Sequence, residues 1–464
     1  MQATTGVRGV ATHHEKVVNF AARQWLDMLA PANFMASNPE IQKVSAAQSN
    51  TNLMSGLDQW WHDIRELISS KISDHSEKKP AYQPGRDVAI SEGSIVFRNH
   101  LIELIQYTPK TAEVSEKPLL IVPSWIMKYY ILDLSPENSM VSYLTEQGFT
   151  VFMISWRNPD KYDRDIGMDN YVQDGLYAAL QEVNRLCNGV PVHTAGYCLG
   201  GTLLAIGMAG LARRPVAERP AVETMTLLAA QTDFTEPGEL GLFIDESQLA
   251  MLDALMWRQG YLDGQQMTGS FQFLNSRDLI WSRNMKRYLL GESEKLSDLM
   301  SWNADTTRMP YRMHSEYLKH LFLHNDLAQG RYQLAGKAIS LKDIDLPLFI
   351  TATEADHVSP WRSVYKIRHL TDTVVEFILA SGGHNAGIVA APTNPKCSYR
   401  HSGNTADSHA EMSPQEWLGM SQQTTGSWWC HWTHWLRQHD SNRIPAREIK
   451  NPIVPAPGTY VFQY

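Results

Sequence analysis

At Gly196-Tyr197-Cys198-Leu199-Gly200 a cysteine stands between two glycines at the spacing of a nucleophile elbow. Such a strand-to-helix turn needs glycine on both sides, because a β-carbon there would strike the neighbouring backbone. The residues before it read as a short buried strand, and Leu203, Leu204, Ile206, Met208 and Leu211 continue beyond it without a charge, as in a buried helix. A thiol so placed meets the helix N-terminus, where unpaired N–H groups and the helix dipole favour negative charge. The N–H of Leu199 could donate to an oxyanion there. Five residues also fit a small buried cysteine between two apolar elements, so the chemistry depends on partners further along.

Two later apolar runs end in such partners. Residues 346–351 lead into Asp356-His357-Val358-Ser359-Pro360-Trp361, and residues 374–379 lead into Gly382-Gly383-His384-Asn385. Nucleophile, then acid, then histidine, each at the C-terminal end of a strand, is the chain order of the α/β-hydrolase fold. Taken singly, Asp356 would suit a loop carboxylate capping the next helix, and His384 a turn histidine. Together with Cys198 they point to nucleophilic acyl transfer. His357 either acts beside the acid or packs.

The elements that must position these residues alternate. Residues 89–97 and 101–107 suit an antiparallel strand pair, then come strands at 118–123 and 150–156 and helices at 138–147 and 169–186 before the elbow. This alternation predicts an α/β fold with a mostly parallel central sheet covered on both faces. After a strand at 225–229 the rhythm breaks over about 234–343, a stretch too long for an ordinary loop and read as a lid subdomain inserted in a catalytic domain spanning 85–464. Residues 1–84 form an N-terminal helical region, with apolar stripes over 15–30 and 51–71.

Composition excludes several classes. With a net charge of -8 and no basic stripe, nucleic-acid binding is not expected. Cys187, Cys198, Cys397 and Cys430 show no pairing pattern, which suits reduced thiols in the cytoplasm. No secretory apolar run opens the sequence, and the uncharged stretch 194–212 contains the elbow and its glycines, so no transmembrane segment is expected. Cys430, His431 and His434 lack the remaining ligands of a zinc site, so no metal is expected. Trp428, Trp429, Trp432 and Trp435 suit the packing face of a C-terminal helix.

The run from Ser124 to Ser139, Ser155-Trp156-Arg157-Asn158-Pro159-Asp160, the Gly196–Gly201 elbow, Asp356-His357-Val358-Ser359-Pro360-Trp361, Gly426-Ser427-Trp428-Trp429 and the stretch from Pro455 to Val461 together resemble polyhydroxyalkanoate synthases, most like the class I enzymes of short-chain monomers. The resemblance covers nearly the whole chain. It implies that Cys198 carries the acyl chain, that His384 is its base and Asp356 the third member, and that the N–H groups of Leu199 and Ile126 serve the oxyanion. It sets Asp133 and Trp302 where substrate-binding or supporting residues stand. Ser124 and Met127 depart from the family's usual Pro and Asn, and the helical region is shorter than in typical class I members, which bears on dimerisation, granule targeting and partner recruitment.

The implied substrate is an (R)-3-hydroxyacyl-coenzyme A (CoA) such as 3-hydroxybutyryl-CoA, with CoA released and no separate cofactor. The implied partners are the growing polyester, the granule surface in the cytoplasm and a second copy of the chain. Cysteine suits this chemistry, since exchanging one thioester for another keeps the acyl group activated. Two alternatives share the motifs: an acyl-CoA thioesterase of the same fold, and a non-catalytic granule-associated subunit.

Overall fold

The computed structural model describes residues 5–72, 82–264, 266, 277–293, 296–402, 412–440 and 442–464. They fall into two compact units, one formed by residues 1–81 with 265–297 and the other by 82–264 with 298–464. The stretch expected as one lid, 234–343, is therefore divided, its middle grouping with the N-terminal helices.

In the smaller unit α1 (Thr12–Met28), α2 (Pro39–Ala47) and α3 (Thr51–Ile72) follow one another. Asn38 caps α2, its side-chain oxygen accepting from the N–H groups of Glu40 and Ile41, and Pro39 occupies the first helical position. Residues 287–289 join these helices through polar contacts. The guanidinium of Arg287 donates to both carboxylate oxygens of Asp63 on α3 at 2.8 and 2.7 Å, and the Tyr288 hydroxyl donates to the same carboxylate at 2.8 Å. The side-chain amide of Asn52 donates to the Leu289 carbonyl at 2.8 Å.

The larger unit is built on an eleven-stranded sheet. In chain order its strands are β1 (Gly93–Arg98), β2 (Ile102–Tyr107), β3 (Leu119–Val122), β4 (Val151–Trp156), β5 (Val192–Tyr197), β6 (Val222–Leu228), β7 (Leu348–Thr353), β8 (Val375–Ala380), β9 (Ser398–His401), β10 (Gln422–Thr425) and β11 (Val454–Pro455). Across the sheet they run β10-β9-β8-β7-β6-β5-β3-β4-β2-β1-β11. From β8 to β4 every pairing is parallel, while both flanks are antiparallel. Strands β3, β4, β5 and β7 are buried along their whole length, as expected where helices cover both faces.

Helices α4 (Met140–Glu146), α5 (Ala178–Leu186), α6 (Leu199–Ala212), α7 (Glu246–Gln259), α8 (Asp298–Ala304) and α9 (Trp428–Gln438) belong to this unit. The helix expected over 169–186 is present, but its first half, Tyr171–Tyr177, widens into a π-helix. There the Tyr171 ring lies between Trp125 and Trp156, at centroid distances of 5.6 and 5.2 Å. On α9 the indoles of Trp428, Trp429 and Trp432 are buried, and their N–H groups donate to the carbonyls of Gly387 and Ile388 and to the Thr226 hydroxyl. The packing face read from the sequence thus grips the chain just beyond His384. Among the described residues no helix is long and apolar enough to cross a membrane.

Candidate active site

Cys198 directly follows β5 and caps α6, with φ 52° and ψ -123°. A non-glycine residue in this conformation costs about 1–3 kcal/mol and persists only where its surroundings enforce it. They do so here: the Cys198 N–H donates to the Leu228 carbonyl at 2.8 Å, and its carbonyl accepts from the N–H groups of Gly201 and Thr202. Gly200 is required by close approach, since a β-carbon there would stand 2.2 Å from the Val122 carbonyl oxygen and 2.5 Å from that of Pro123. Gly200→Ala is therefore expected to cost about 3 kcal/mol or more, read as a lower melting temperature and loss of soluble protein. A melting temperature within about 2 °C of wild type would contradict this account of the turn.

Asp356 lies three residues beyond the end of β7 and His384 four beyond the end of β8, so both follow the C-terminal ends of parallel strands, as Cys198 does. The carboxylate of Asp356 accepts from the N–H groups of Val358 and Ser359 on one oxygen, at 2.9 and 2.7 Å. Its other oxygen accepts from the Thr353 hydroxyl at 3.0 Å and pairs with Nδ1 of His384 at 2.7 Å. Cys198 and His384 are close enough for the charge of the sulfur to act on the imidazole. The structure thus joins His384 to Asp356 and sets Cys198 within electrostatic reach of the ring.

Their charges sustain one another. Burial alone would raise Asp356, but the charge and hydrogen bond of His384, the Ser359 N–H and the Thr353 hydroxyl hold its carboxyl below the usual range. Burial alone would depress His384, yet the negative charges of Cys198 and Asp356 hold it well above the usual imidazole value. The depressed Asp356 adds stability that is present above about pH 4 and lost as pH falls through its folded value, whereas the raised His384 adds stability complete below about pH 6.5 and lost as pH rises through its folded value. Melting curves of wild type and His384→Gln should therefore differ most between about pH 4 and 6.5, the gap closing on the alkaline side. A gap that widens with rising pH would refute the ion pair.

Leu199 opens α6, where first-turn N–H groups have no acceptor within the helix. Ile126 lies on the buried loop after β3, with its carbonyl turned away to accept from the Thr307 N–H at 3.1 Å. The same loop is held by the Thr307 hydroxyl on the Trp125 carbonyl, at 2.7 Å, and by the Trp302 indole on the Lys128 carbonyl, also at 2.7 Å. Ser124 on this loop is buried, and Met127 pairs backbone to backbone with Thr306.

Trp302 and Asp133 have polar partners of their own. Trp302 is buried and spends its N–H on the loop just described. Asp133 is fully buried, accepts from the hydroxyls of Ser91 and Ser139 at 2.5 and 2.7 Å, and has its carboxyl raised by burial. Among the described residues no hydrogen bond or ion pair joins either of them to Cys198, Asp356 or His384. His357 is exposed on the loop of Asp356.

Several residues at the site carried no signal in the sequence. Burial, with the charge of Cys198, raises the phenol of Tyr317 well above its ordinary value. Tyr317 packs against Trp125, Phe234 and Phe322 in an aromatic cluster. Lys128 is buried, donates to the Gln463 carbonyl at 2.5 Å and is brought down to about 8 by its burial. The histidines dismissed as metal ligands are engaged elsewhere, His431 with Glu376 at 3.0 Å and His434 with Gln438 at 3.1 Å. A separate group, His320, His324 and Asp326, lies close enough to share an ion. It is also an ion-pair network in its own right, with His320 on one oxygen of Asp326 and Arg331 on the other.

Comparison with known proteins gives matches over nearly the whole chain. A family model described as the N-terminus of poly-beta-hydroxybutyrate polymerase matches residues 1–144, and the alpha/beta hydrolase fold model matches residues 117–391. A poly(3-hydroxyalkanoate) polymerase of Methylorubrum extorquens is 38% identical over 457 residues, covering 98% of this chain and 74% of that one. The poly(3-hydroxyalkanoate) polymerase subunit of Cupriavidus necator is 36% identical over 455 residues, covering 96% of this chain and 75% of its own length. Among solved structures, a meta-cleavage product hydrolase from Pseudomonas fluorescens IP01 is 14% identical, with a TM-score of 0.33 over 64% of this chain and 91% of that one. The fold is the α/β-hydrolase fold expected from the order of the motifs.

Proposed function

Because this chain belongs to the poly(3-hydroxyalkanoate) polymerase family, we propose that it polymerises (R)-3-hydroxyacyl-CoA through an acyl chain held covalently on Cys198. It is an acyltransferase of the α/β-hydrolase fold. The observation that supports the proposal is the bond of His384 to the buried carboxylate of Asp356, with the charge of Cys198 acting on the same imidazole.

In the first step the Cys198 sulfur attacks the thioester carbon and its proton passes to His384. A new carbon–sulfur bond forms, the bond to CoA breaks, and the proton leaves with the CoA sulfur. In the second step the 3-hydroxyl of one acyl unit attacks the thioester of another. Its proton moves to His384 and on to the departing sulfur as the ester forms. The N–H groups of Leu199 and Ile126 serve the oxyanion of each tetrahedral intermediate. Asp356 acts on His384 rather than on the hydroxyl: its side chain is fully buried and both oxygens already accept from four donors within the fold.

Water competes with the hydroxyl for every acyl-cysteine. The aromatic cluster of Trp125, Phe234, Tyr317 and Phe322 supports exclusion of water, which separates a polymerase from a thioesterase of the same fold. Short-chain monomers such as 3-hydroxybutyryl-CoA, work at the surface of cytoplasmic granules, a homodimer and the absence of any cofactor beyond the substrate's own CoA complete the proposal. Incubation of the purified protein with (R)-3-hydroxybutyryl-CoA tests it. CoA release with insoluble polyester is the expected result, and CoA release with free 3-hydroxybutyrate would make the protein a thioesterase.

A further inference from the structure

We infer that Tyr197, Asn385 and Asn303 form a positioning chain that fixes the loop of His384 over Cys198 and ties that loop to α8. The inference rests on the assignment of Cys198 as the nucleophile. Tyr197 is the last residue of β5, adjacent to Cys198 in sequence and buried. Its hydroxyl donates to the side-chain oxygen of Asn385 at 2.6 Å, and its ring lies 5.8 Å from the imidazole of His384 between centroids. Asn385 directly follows His384, and its amide nitrogen donates to the side-chain oxygen of Asn303 at 3.0 Å.

Asp356 grips one edge of the imidazole, and backbone bonds hold the start of the glycine-rich loop 381–387, the Ser381 N–H donating to the Ser398 carbonyl and the Ala355 N–H to the Gly382 carbonyl, each at 2.9 Å. Beyond that loop the indoles of Trp428 and Trp429 hold the carbonyls of Gly387 and Ile388. Asn385 supplies the anchor nearest the base, and that anchor is fastened to the residue that precedes the nucleophile. Burial, with the negative charges of Cys198 and Asp356, raises the Tyr197 phenol well above its ordinary value, so it remains a donor across the working pH range. The last member reaches further. Asn303 adjoins Trp302, whose indole holds the loop of Ile126. One turn of α8 therefore touches both the oxyanion loop and the base loop, and a shift of that helix would disturb both together.

The test compares Tyr197→Phe, Asn303→Leu and Asn303→Asp with wild type by two readouts. The first is the pH profile of Cys198 alkylation by iodoacetamide, followed by mass spectrometry so that the exposed Cys430 is counted separately. The second is kcat and KM for CoA release from (R)-3-hydroxybutyryl-CoA, with melting temperatures alongside. Tyr197→Phe is expected to lower kcat by about tenfold with KM changed less than about twofold, and to displace the alkylation profile. Asn303 is exposed, so its replacement spares the core; Asn303→Leu should lower kcat about threefold, while Asn303→Asp, which still accepts from Asn385, should stay within about twofold of wild type. Profiles of Tyr197→Phe and Asn303→Leu that superimpose on wild type would overturn the inference, as would a loss of kcat that merely follows melting temperature. Alkylation requires no acyl-CoA, so a displaced profile in a protein that releases no CoA would uphold the positioning chain while refuting the polymerase assignment.

Discussion

Cys198→Ala is expected to lower CoA release from (R)-3-hydroxybutyryl-CoA by a factor on the order of 10³ or more, with the melting temperature little changed. The size follows from what is lost. Without the sulfur no covalent intermediate forms, and water or a hydroxyl must attack the CoA thioester directly, unassisted by a nucleophile held against the oxyanion donors. Stability should survive, because the sulfur is only partly buried and alanine fits the space, although the positive φ of the elbow remains strained for it. Wild-type CoA release from Cys198→Ala would mean that another group performs the transfer.

Asp356→Asn should have the second largest effect, a fall in kcat of about 10²- to 10⁴-fold with KM much less affected. Each oxygen of Asp356 accepts, from Val358 and Ser359 on one side and from Thr353 and His384 on the other. An amide replaces one of these acceptors with a donor. If its nitrogen faces the backbone N–H groups, two donors are left buried against it; if it faces His384, the ring must present an acceptor there and adopts the wrong tautomer for taking a proton from sulfur. In either orientation the negative charge that helps to raise His384 is gone. Steady-state kinetics with kcat within about twofold of wild type would show that the carboxylate has no part in the chemistry.

The parts of the site legible in the sequence are those governed by local rules. The elbow is visible because Gly200 has no room for a β-carbon, and the acid and the base are visible because strands β7 and β8 are largely apolar runs whose ends can be counted. The sheet flanks are harder to see. Strand β10 is Gln422-Gln423-Thr424-Thr425, mostly exposed and without apolar alternation, and β11 is two residues long. Helix α2 had a local signal in Asn38-Pro39, a capping residue followed by proline at the first helical position, and it escapes an apolar-periodicity reading because the helix is short. The division of the 234–343 stretch rests on pairs such as Asp63 with Arg287, far apart in sequence, which no local pattern encodes. The same is true of Tyr197, Asn385 and Asn303, drawn from a strand end, a loop and a helix.

The central claim is that the acyl group is carried on the sulfur of Cys198. The most direct measurement is rapid mixing of the purified protein with (R)-3-hydroxybutyryl-CoA, an acid quench within the first turnover, proteolysis, and mass spectrometry of the peptide containing Cys198. The account predicts a hydroxybutyryl adduct on that cysteine, appearing as CoA is released and extending by further units with time. CoA released at the normal rate while the Cys198 peptide stays unmodified would contradict it.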